Sequence, residues 1–313
     1  MILIISEKGD VSTHKVIHWL KYFNAKFIVV FPDNQPVDWK ISIKDNTSDV
    51  YFKLNNKKYS IKDFKKRWYR RGQLPRFVLN HDANDPKSIY TFNELSKLGE
   101  FLMWKFNSIP GINEIGYGNV NKLKSLWMAR DIGLNIPETI ICNQREDILN
   151  FNYSIISKGI YGESFHIGNN SYFHGTKLLD IQDVPSQFNY SLFQENVQKE
   201  FEIRVFILNN YLYSMAIFSQ EHSESKLDWR LGNSISSRIR KSPYQLPIEI
   251  QNKLHLLMKS LGLNSGSIDL IKTPNNDFIF LEINPVGQYD FISLFCNINL
   301  DEIIALELIN SMV

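Results

Sequence analysis

Ser267-Ile268-Asp269-Leu270-Ile271 and, after a short interruption, Phe278-Ile279-Phe280-Leu281-Glu282-Ile283-Asn284-Pro285 decide how this chain folds and what it can hold. Two apolar, β-prone runs at this separation predict an antiparallel hairpin, Ser267–Lys272 against Asp277–Asn284. Alternate residues of a strand share a face. Glu282 and Asn284 therefore project from one side, with Phe280 expected one step back on that side and Leu281 and Ile283 on the other. Asp269, from the partner strand, can face them. Two carboxylates and an amide oxygen are hard donors suited to Mg²⁺, which usually also keeps phosphate oxygens and water. The alternative is three polar residues on a solvated sheet. Among such apolar neighbours, however, an unpaired carboxylate would be costly.

Working back toward the N-terminus, Ile155-Ile156-Ser157-Lys158-Gly159-Ile160-Tyr161-Gly162 is a buried strand ending in a lysine and a glycine turn. A lysine supplies a point charge and glycines let backbone N–H groups approach phosphate oxygens, although a strand-end Lys-Gly turn is also a common connection. The GxxxxGK[ST] loop is absent, as is GxGxxG after the first strand, so the P-loop and dinucleotide-fingerprint folds fall away. Phe193-Gln194-Glu195-Asn196-Val197 is a polar hinge ahead of the strand Phe201-Glu202-Ile203-Arg204-Val205-Phe206. Glu202 and Arg204 share one face of that strand, which a surface ion pair of little worth would also explain.

The remainder alternates strand and helix at first. Met1–Ile5 is apolar for five residues, too short for an export core or for a membrane span of about 20 residues, and is expected to be a buried strand. A helix at 13–23 and a strand at 26–31 follow, an order that implies parallel pairing. Strands are expected at 39–44 and 49–54, then Trp68-Tyr69-Arg70-Arg71, where strand alternation points the two arginines opposite ways. A long helix runs over 85–106 with Pro86 in its first turn. Helices are further expected at 119–132, closed by Gly133, and at 145–151, 247–261 and 300–312. A hairpin is expected around Asn209-Asn210-Tyr211. The 313 residues carry 35 Lys and Arg against 33 Asp and Glu, a formal +2. That balance argues against a general nucleic-acid binder, and the basic, aromatic run Lys62–Arg71 is better taken as a solvated or partner-facing edge. Two distant cysteines and no CxxC argue against a disulfide scaffold or a thiolate zinc site and fit the cytoplasm. His14 and His18, at i and i+4, lack the Glu of a zinc-protease helix.

In this order the segments resemble the ATP-grasp superfamily: Asn121-Lys122, Lys158 with its glycine turn, the Gln194-Glu195-Asn196-Val197 hinge, Glu202-Ile203-Arg204, and Asp269 with Glu282-Ile283-Asn284-Pro285. A narrower likeness spans nearly the whole chain. It adds Trp68-Tyr69-Arg70-Arg71, Phe218-Ser219-Gln220, Leu227-Asp228-Trp229-Arg230, Arg240 ahead of Pro243-Tyr244-Gln245-Leu246-Pro247, and Val286-Gly287-Gln288, and is similar to the graspetide (microviridin-type) macrocyclases, the grasp-with-spasm maturases in particular. The resemblance implies an α/β (α+β) fold: an N-terminal parallel-sheet (pre-ATP-grasp) domain over 1–118, a small central α+β domain over 119–196, and a C-terminal antiparallel-sheet domain over 197–313.

It further implies ATP and Mg²⁺ as cofactors. Lys122 and Lys158 would contact phosphates, the backbone of Glu195 to Val197 the adenine, and Glu202 the ribose hydroxyls, with Asp269, Glu282 and Asn284 as metal ligands. Arg204, Arg230 and Arg240 would meet the γ-phosphate and the substrate carboxylate, with Asp228 orienting Arg230 or acting as base. Arg70 and Arg71 would receive acidic side chains of a precursor peptide with a leader and a Thr/Glu-rich core. Family likeness suggests a homodimer and gives no nucleic-acid or membrane partner. An amino-acid ligase acting on a small acid or protein tail, and a non-catalytic ATP-binding protein, are the competing expectations.

Overall fold

The computed structural model describes residues 1–32, 37–72, 84–116, 120–161, 164–167, 170–173, 175–221, 225 and 238–310. Two compact units emerge. The first comprises 1–119 with 263–265 and 299–313, and the second 120–262 with 266–298.

The first unit opens with β1 (Ile2–Ile5), α1 (Val11–Tyr22) and β2 (Phe27–Val30). An antiparallel sheet follows from β3 (Asp38–Ile43), β4 (Ser48–Leu54) and β5 (Lys57–Ser60), then β6 (Lys66–Tyr69), α2 (Pro86–Asn107) and β7 (Gly111–Ile112). The main sheet runs β2-β1-β6-β7 and every pairing in it is parallel, as the βαβ order requires. All four β1 residues are fully buried, and Phe52 of β4 lies among the rings of Trp39, Tyr59, Phe64 and Phe106. Gly111 is obligatory, because a β-carbon there would lie 1.8 Å from the Arg67 carbonyl oxygen of the neighbouring strand.

From β1 the chain goes out to β2 and returns on the other side as β6. The crevice at the carboxyl ends of β1 and β6 is thus a topological switch point, where open parallel sheets gather functional residues. Here Asp10 caps α1, accepting from the Thr13 N–H at 2.8 Å and the Thr13 hydroxyl at 2.7 Å. Both arginines turn toward it: Arg70 Nε lies 3.4 Å and Arg71 Nε 3.1 Å from its carboxylate. Strand alternation had sent them opposite ways. It fails because β6 ends at Tyr69 and the backbone N–H groups of Arg70 and Arg71 both bond to the Ile5 carbonyl, turning the chain. Arg70 is closed in, 4% exposed, whereas Arg71 remains 32% exposed.

The second unit begins with α3 (Lys122–Asp131), capped by Asn121, whose side chain accepts from Lys124 N–H at 3.0 Å. Gly133 has φ +85°, and the bonds Gly133 N–H to Arg130 and Leu134 N–H to Ala129 close the helix in the expected glycine cap. The strands β8 (Thr139–Gln144), β9 (Ile155–Lys158), β10 (Ser164–Ile167), β11 (Asn170–Phe173), β12 (Lys177–Leu179) and β13 (Gln187–Glu195) follow. They form an antiparallel sheet of order β12-β9-β13-β8 and a separate β10-β11 hairpin. Its core holds Cys142, Ile148, Ile155, Val184 and Phe193. The helix expected at 145–151 is only a 3₁₀ turn, Arg145–Ile148. Its bonds run i to i−3, and seven residues are too few to offset the cost of nucleating an α-helix.

Next come β14 (Phe201–Leu208), β15 (Tyr211–Ile217), β16 (Lys241–Pro243), α4 (Ile248–Ser260), β17 (Ser265–Lys272), β18 (Phe278–Asn284) and α5 (Asp290–Phe295). The strands form a sheet of order β16-β15-β14-β17-β18. Asn209, at φ +52°, makes the tight β14–β15 turn. The closing helix α6 (Leu300–Asn310) belongs to the first unit, packing against α1 and β6. Both cysteines are free and buried, and burial pushes both thiols up. No helix among the described residues is long and apolar enough to cross a membrane.

Burial pushes the Asp10 carboxyl up, but Arg70, the two Thr13 hydrogen bonds and Arg71 outweigh it and hold the group below its ordinary range. Its stabilisation is therefore present above the unfolded pKa of about 3.9 and lost as pH falls through the lower folded value. Asp10→Ala removes a helix cap and leaves a buried guanidinium without its carboxylate. Denaturant unfolding at pH 7 is expected to show a loss of about 2 kcal/mol or more, with the gap between variant and parent narrowing below pH 4.

Candidate functional site

The β17–β18 pairing places Asp269 directly opposite Glu282 and Ser267 opposite Asn284. The expected carboxylate-carboxylate-amide set thus lies on one face of the hairpin. One detail departs from simple alternation. The register slips between Asp269 and Leu270, so that Leu281 has no partner and Phe280 pairs with Leu270. Phe280 consequently lies on the face opposite Glu282, paired with Leu270 and buried in the core as Leu270 and Ile283 are. The bulge lets a strand carry acids on one side and an unbroken apolar face on the other.

Like charges directly opposite each other destabilise a sheet, and here two cations answer them. Arg204 of β14 places NH1 2.6 Å from both Asp269 carboxylate oxygens, and its NH2 donates to the Gln288 carbonyl at 3.3 Å. Lys122, in the first turn of α3, lies 3.2 Å from Glu282 and donates to the Gly159 carbonyl at 3.3 Å. One lysine therefore ties together the start of α3, the glycine turn after Lys158 and the acid of β18, three segments far apart in the chain. Lys158 itself is half-buried at the end of β9. Glu282 keeps 29% and Asp269 24% of its side chain accessible. Asn284 is exposed, and its side-chain amide oxygen Oδ1 accepts the Val286 N–H at 3.1 Å.

Among the described residues no group of three His, Cys, Asp or Glu side chains could hold a metal. The donor set is two carboxylates and one amide oxygen, which fits a hard ion that draws its other ligands from phosphate and water rather than from a closed protein cage.

In the hinge, Gln194 is buried and donates to Thr139 Oγ1 at 2.9 Å. The Glu195 N–H is taken by the Glu138 carbonyl and the Asn196 N–H by the Ser154 carbonyl, each at 2.9 Å, while the Val197 N–H meets no acceptor among the described residues. Glu202 Oε1 accepts from Lys199 Nζ at 2.6 Å and from Ser219 Oγ at 2.9 Å. Lys199 had not been singled out in the sequence, and Ser219 figured only in the Phe218-Ser219-Gln220 likeness, with no role attached. The i, i+3 charge pair was a visible signal for Lys199, but the Ser219 contact spans two strands and left none. Arg240 stacks over the Phe218 ring, 3.4 Å from its centre, and pairs with Glu221 at 2.8 Å. Its side chain is 56% exposed. Asp228 and Arg230 lie outside the described residues.

Solved structures decide which architecture this is. A Chryseobacterium gregarium RiPP-associated ATP-grasp ligase, in complex with ADP and a leader and core peptide, matches at a TM-score of 0.81 with 22% identity, over 99% of this chain and 96% of its own. The macrocyclase MdnC from Microcystis aeruginosa MRC, bound with precursor peptide MdnA, matches at 0.77 with 26% identity over 99% of both chains. This chain has the ATP-grasp fold of the graspetide-type ligases. The ATP-grasp ligase PsnB, complexed with a phosphomimetic variant of its minimal precursor, Mg and ADP, matches the same ATP-grasp chain at 0.72 and 15% identity, over 100% of it and 98% of PsnB. No family model and no curated protein matches the sequence. The likeness covers the first unit as well as the ATP-grasp core, as the N-terminal Trp68-Tyr69-Arg70-Arg71 segment implied.

The acid site of this ATP-grasp chain leans on one glycine. A β-carbon at Gly287 would lie 2.6 Å from Ser267 Cβ and 3.0 Å from the Asn284 carbonyl oxygen, so any side chain must displace the strand that carries Asp269. Gly287→Ala is expected to lower stability by about 1–3 kcal/mol, measured by denaturant unfolding. An unchanged midpoint would show that the loop after Asn284 yields freely.

Proposed function

We propose that this chain is an ATP-dependent peptide macrocyclase. It activates Asp or Glu side chains of a ribosomal precursor peptide as acyl phosphates and joins them to Thr or Ser hydroxyls, as esters, or to Lys amines, as amides. The observation that carries this is the pair Asp269 and Glu282, set opposite each other on one sheet face and bracketed by Arg204 and Lys122. The architecture supports it, since structures sharing it over their full length are ligases and macrocyclases solved with ADP and precursor peptides.

A carboxylate is a poor electrophile, and condensation in water needs it activated. Transfer of the γ-phosphoryl group of ATP to the side-chain carboxylate breaks the γ-phosphate to ADP bond and forms an acyl phosphate. Attack by the acceptor oxygen or nitrogen then expels inorganic phosphate, and the acceptor proton leaves to solvent or to a base. Asp269, Glu282 and Asn284 would hold Mg²⁺, which when bound supplies charge neutralisation for the phosphates. Lys122 and Lys158 add fixed positive charge at the triphosphate. Val197 offers its N–H to the adenine edge, and Glu202 accepts from the ribose. Arg204 already holds both Asp269 oxygens through NH1, and its planar guanidinium suits an oxyanion at the γ-phosphoryl group.

Arg230 and Arg240 are assigned to the substrate carboxylate, with Asp228 orienting Arg230. Of the switch-point pair, Arg71 is the arginine with surface left for an acidic side chain of the core peptide.

Incubation with ATP, Mg²⁺ and a candidate precursor is expected to remove the mass of one water per ring, read by mass spectrometry. No mass loss with a matched precursor would contradict macrocyclisation, and ADP release with a small acid or a protein tail would favour an amino-acid ligase. Lys158→Ala and Glu282→Gln are each expected to abolish turnover. A near-parental rate in either would show that the nucleotide lies elsewhere.

A further inference from the structure

We infer that Lys199 and Ser219 are positioning residues that aim the Glu202 carboxylate and thereby set selectivity for a ribose bearing its hydroxyls. This rests on the proposal that Glu202 meets the ribose of a bound nucleotide. Lys199 Nζ at 2.6 Å and Ser219 Oγ at 2.9 Å converge on the same oxygen, Oε1. They reach it from two sides: Lys199 from the hinge just ahead of β14, and Ser219 from a 3₁₀ turn, Ser219–Glu221, after β15. Two donors on one oxygen fix the carboxylate plane, as neither would alone.

The surroundings are built to keep that geometry. Lys199 and Glu202 are only 10% and 14% exposed, and Ser219 is fully buried. The Ser219 carbonyl in turn accepts the Ser225 hydroxyl at 2.6 Å, which anchors the turn. The hinge is anchored as well, because the Glu200 N–H donates to the Lys272 carbonyl at 2.8 Å. A charge-assisted bond shortens and strengthens with alignment, so a carboxylate held in plane discriminates a hydroxyl more sharply than one free to rotate. The Val197 N–H lies five residues before Glu202. The same short segment thus presents an adenine-edge donor and a ribose acceptor in fixed sequence.

The test is calorimetric binding of ADP and of 2′,3′-dideoxy-ADP to the full chain with Mg²⁺ present. The parent is expected to prefer ADP by about ten-fold or more, as a hydrogen bond to a charged group would give. Glu202→Gln should bring the ratio of the two dissociation constants close to one. Lys199→Met and Ser219→Ala should each shrink the ratio about three-fold or more, the double variant should reach the Glu202→Gln value, and Ser219→Thr, which keeps the hydroxyl, should restore it. If both nucleotides weaken alike and the ratio holds in Lys199→Met, Ser219→Ala and the double variant, while Glu202→Gln loses it, the two residues are merely structural and the inference is overturned. If Glu202→Gln keeps the full ratio, the ribose assignment itself falls, and the inference falls with it.

Discussion

Two carboxylates placed directly across a strand pair are an electrostatic liability that this sheet carries at its β17–β18 edge. Asp269 and Glu282 repel, and the partial burial of both side chains limits the water that would screen them. The rest of the second unit can be understood as the answer to that liability. Arg204 reaches in from β14 and Lys122 from the start of α3. Arg204 owes its place to the Glu202–Ile203–Arg204 phase of β14, and Lys122 to the first turn of α3 behind the Asn121 cap. A sheet that needed only stability would carry apolar residues there, since replacing ion pairs by well-packed hydrophobic residues is often neutral or better. Retention of the acids makes sense if a cation and an anion are to be exchanged at that place.

The same constraint explains the local chain geometry. A strand that must show acids on one face and core on the other gains from the bulge at Leu281, which shifts Phe280 into the interior. Immediately beyond, Gly287 lets the loop after Asn284 press against Ser267 without a side chain. The glycine turn after Lys158 gives up a backbone carbonyl to Lys122, so the central sheet and the acid hairpin share one ammonium group. Cooperation of this kind joins segments that local propensity treats as unrelated.

The legible part of the fold was what depends on period and on local chemistry. Alternation exposed the hairpin and its three donors, the βαβ order gave the parallel sheet, and Gly133 and Pro86 marked helix ends where they were expected. What escaped depends on register slips and on tertiary contact. The phase of Phe280 required knowledge of a bulge. The convergence of Arg70 and Arg71 on Asp10 required knowledge that β6 stops one residue earlier. The attachment of α6 to α1, and the grip of Ser219 on Glu202, are contacts between residues many positions apart, for which one chain offers no local signature. The hinge shows an intermediate case: its position was evident, but only the structure reveals that Glu195 and Asn196 spend their N–H groups on the protein and that Val197 meets no acceptor among the described residues.

The central claim is that the paired acids grip a divalent ion together with a nucleotide's phosphates. Electron paramagnetic resonance of Mn²⁺, titrated into the protein in the presence of ADP, tests it most directly. The account predicts a tightly bound, nucleotide-dependent Mn²⁺ signal in the parent chain that Asp269→Asn removes while the protein stays folded. Undiminished Mn²⁺ binding in that variant, or binding in the parent that ignores ADP, would contradict it.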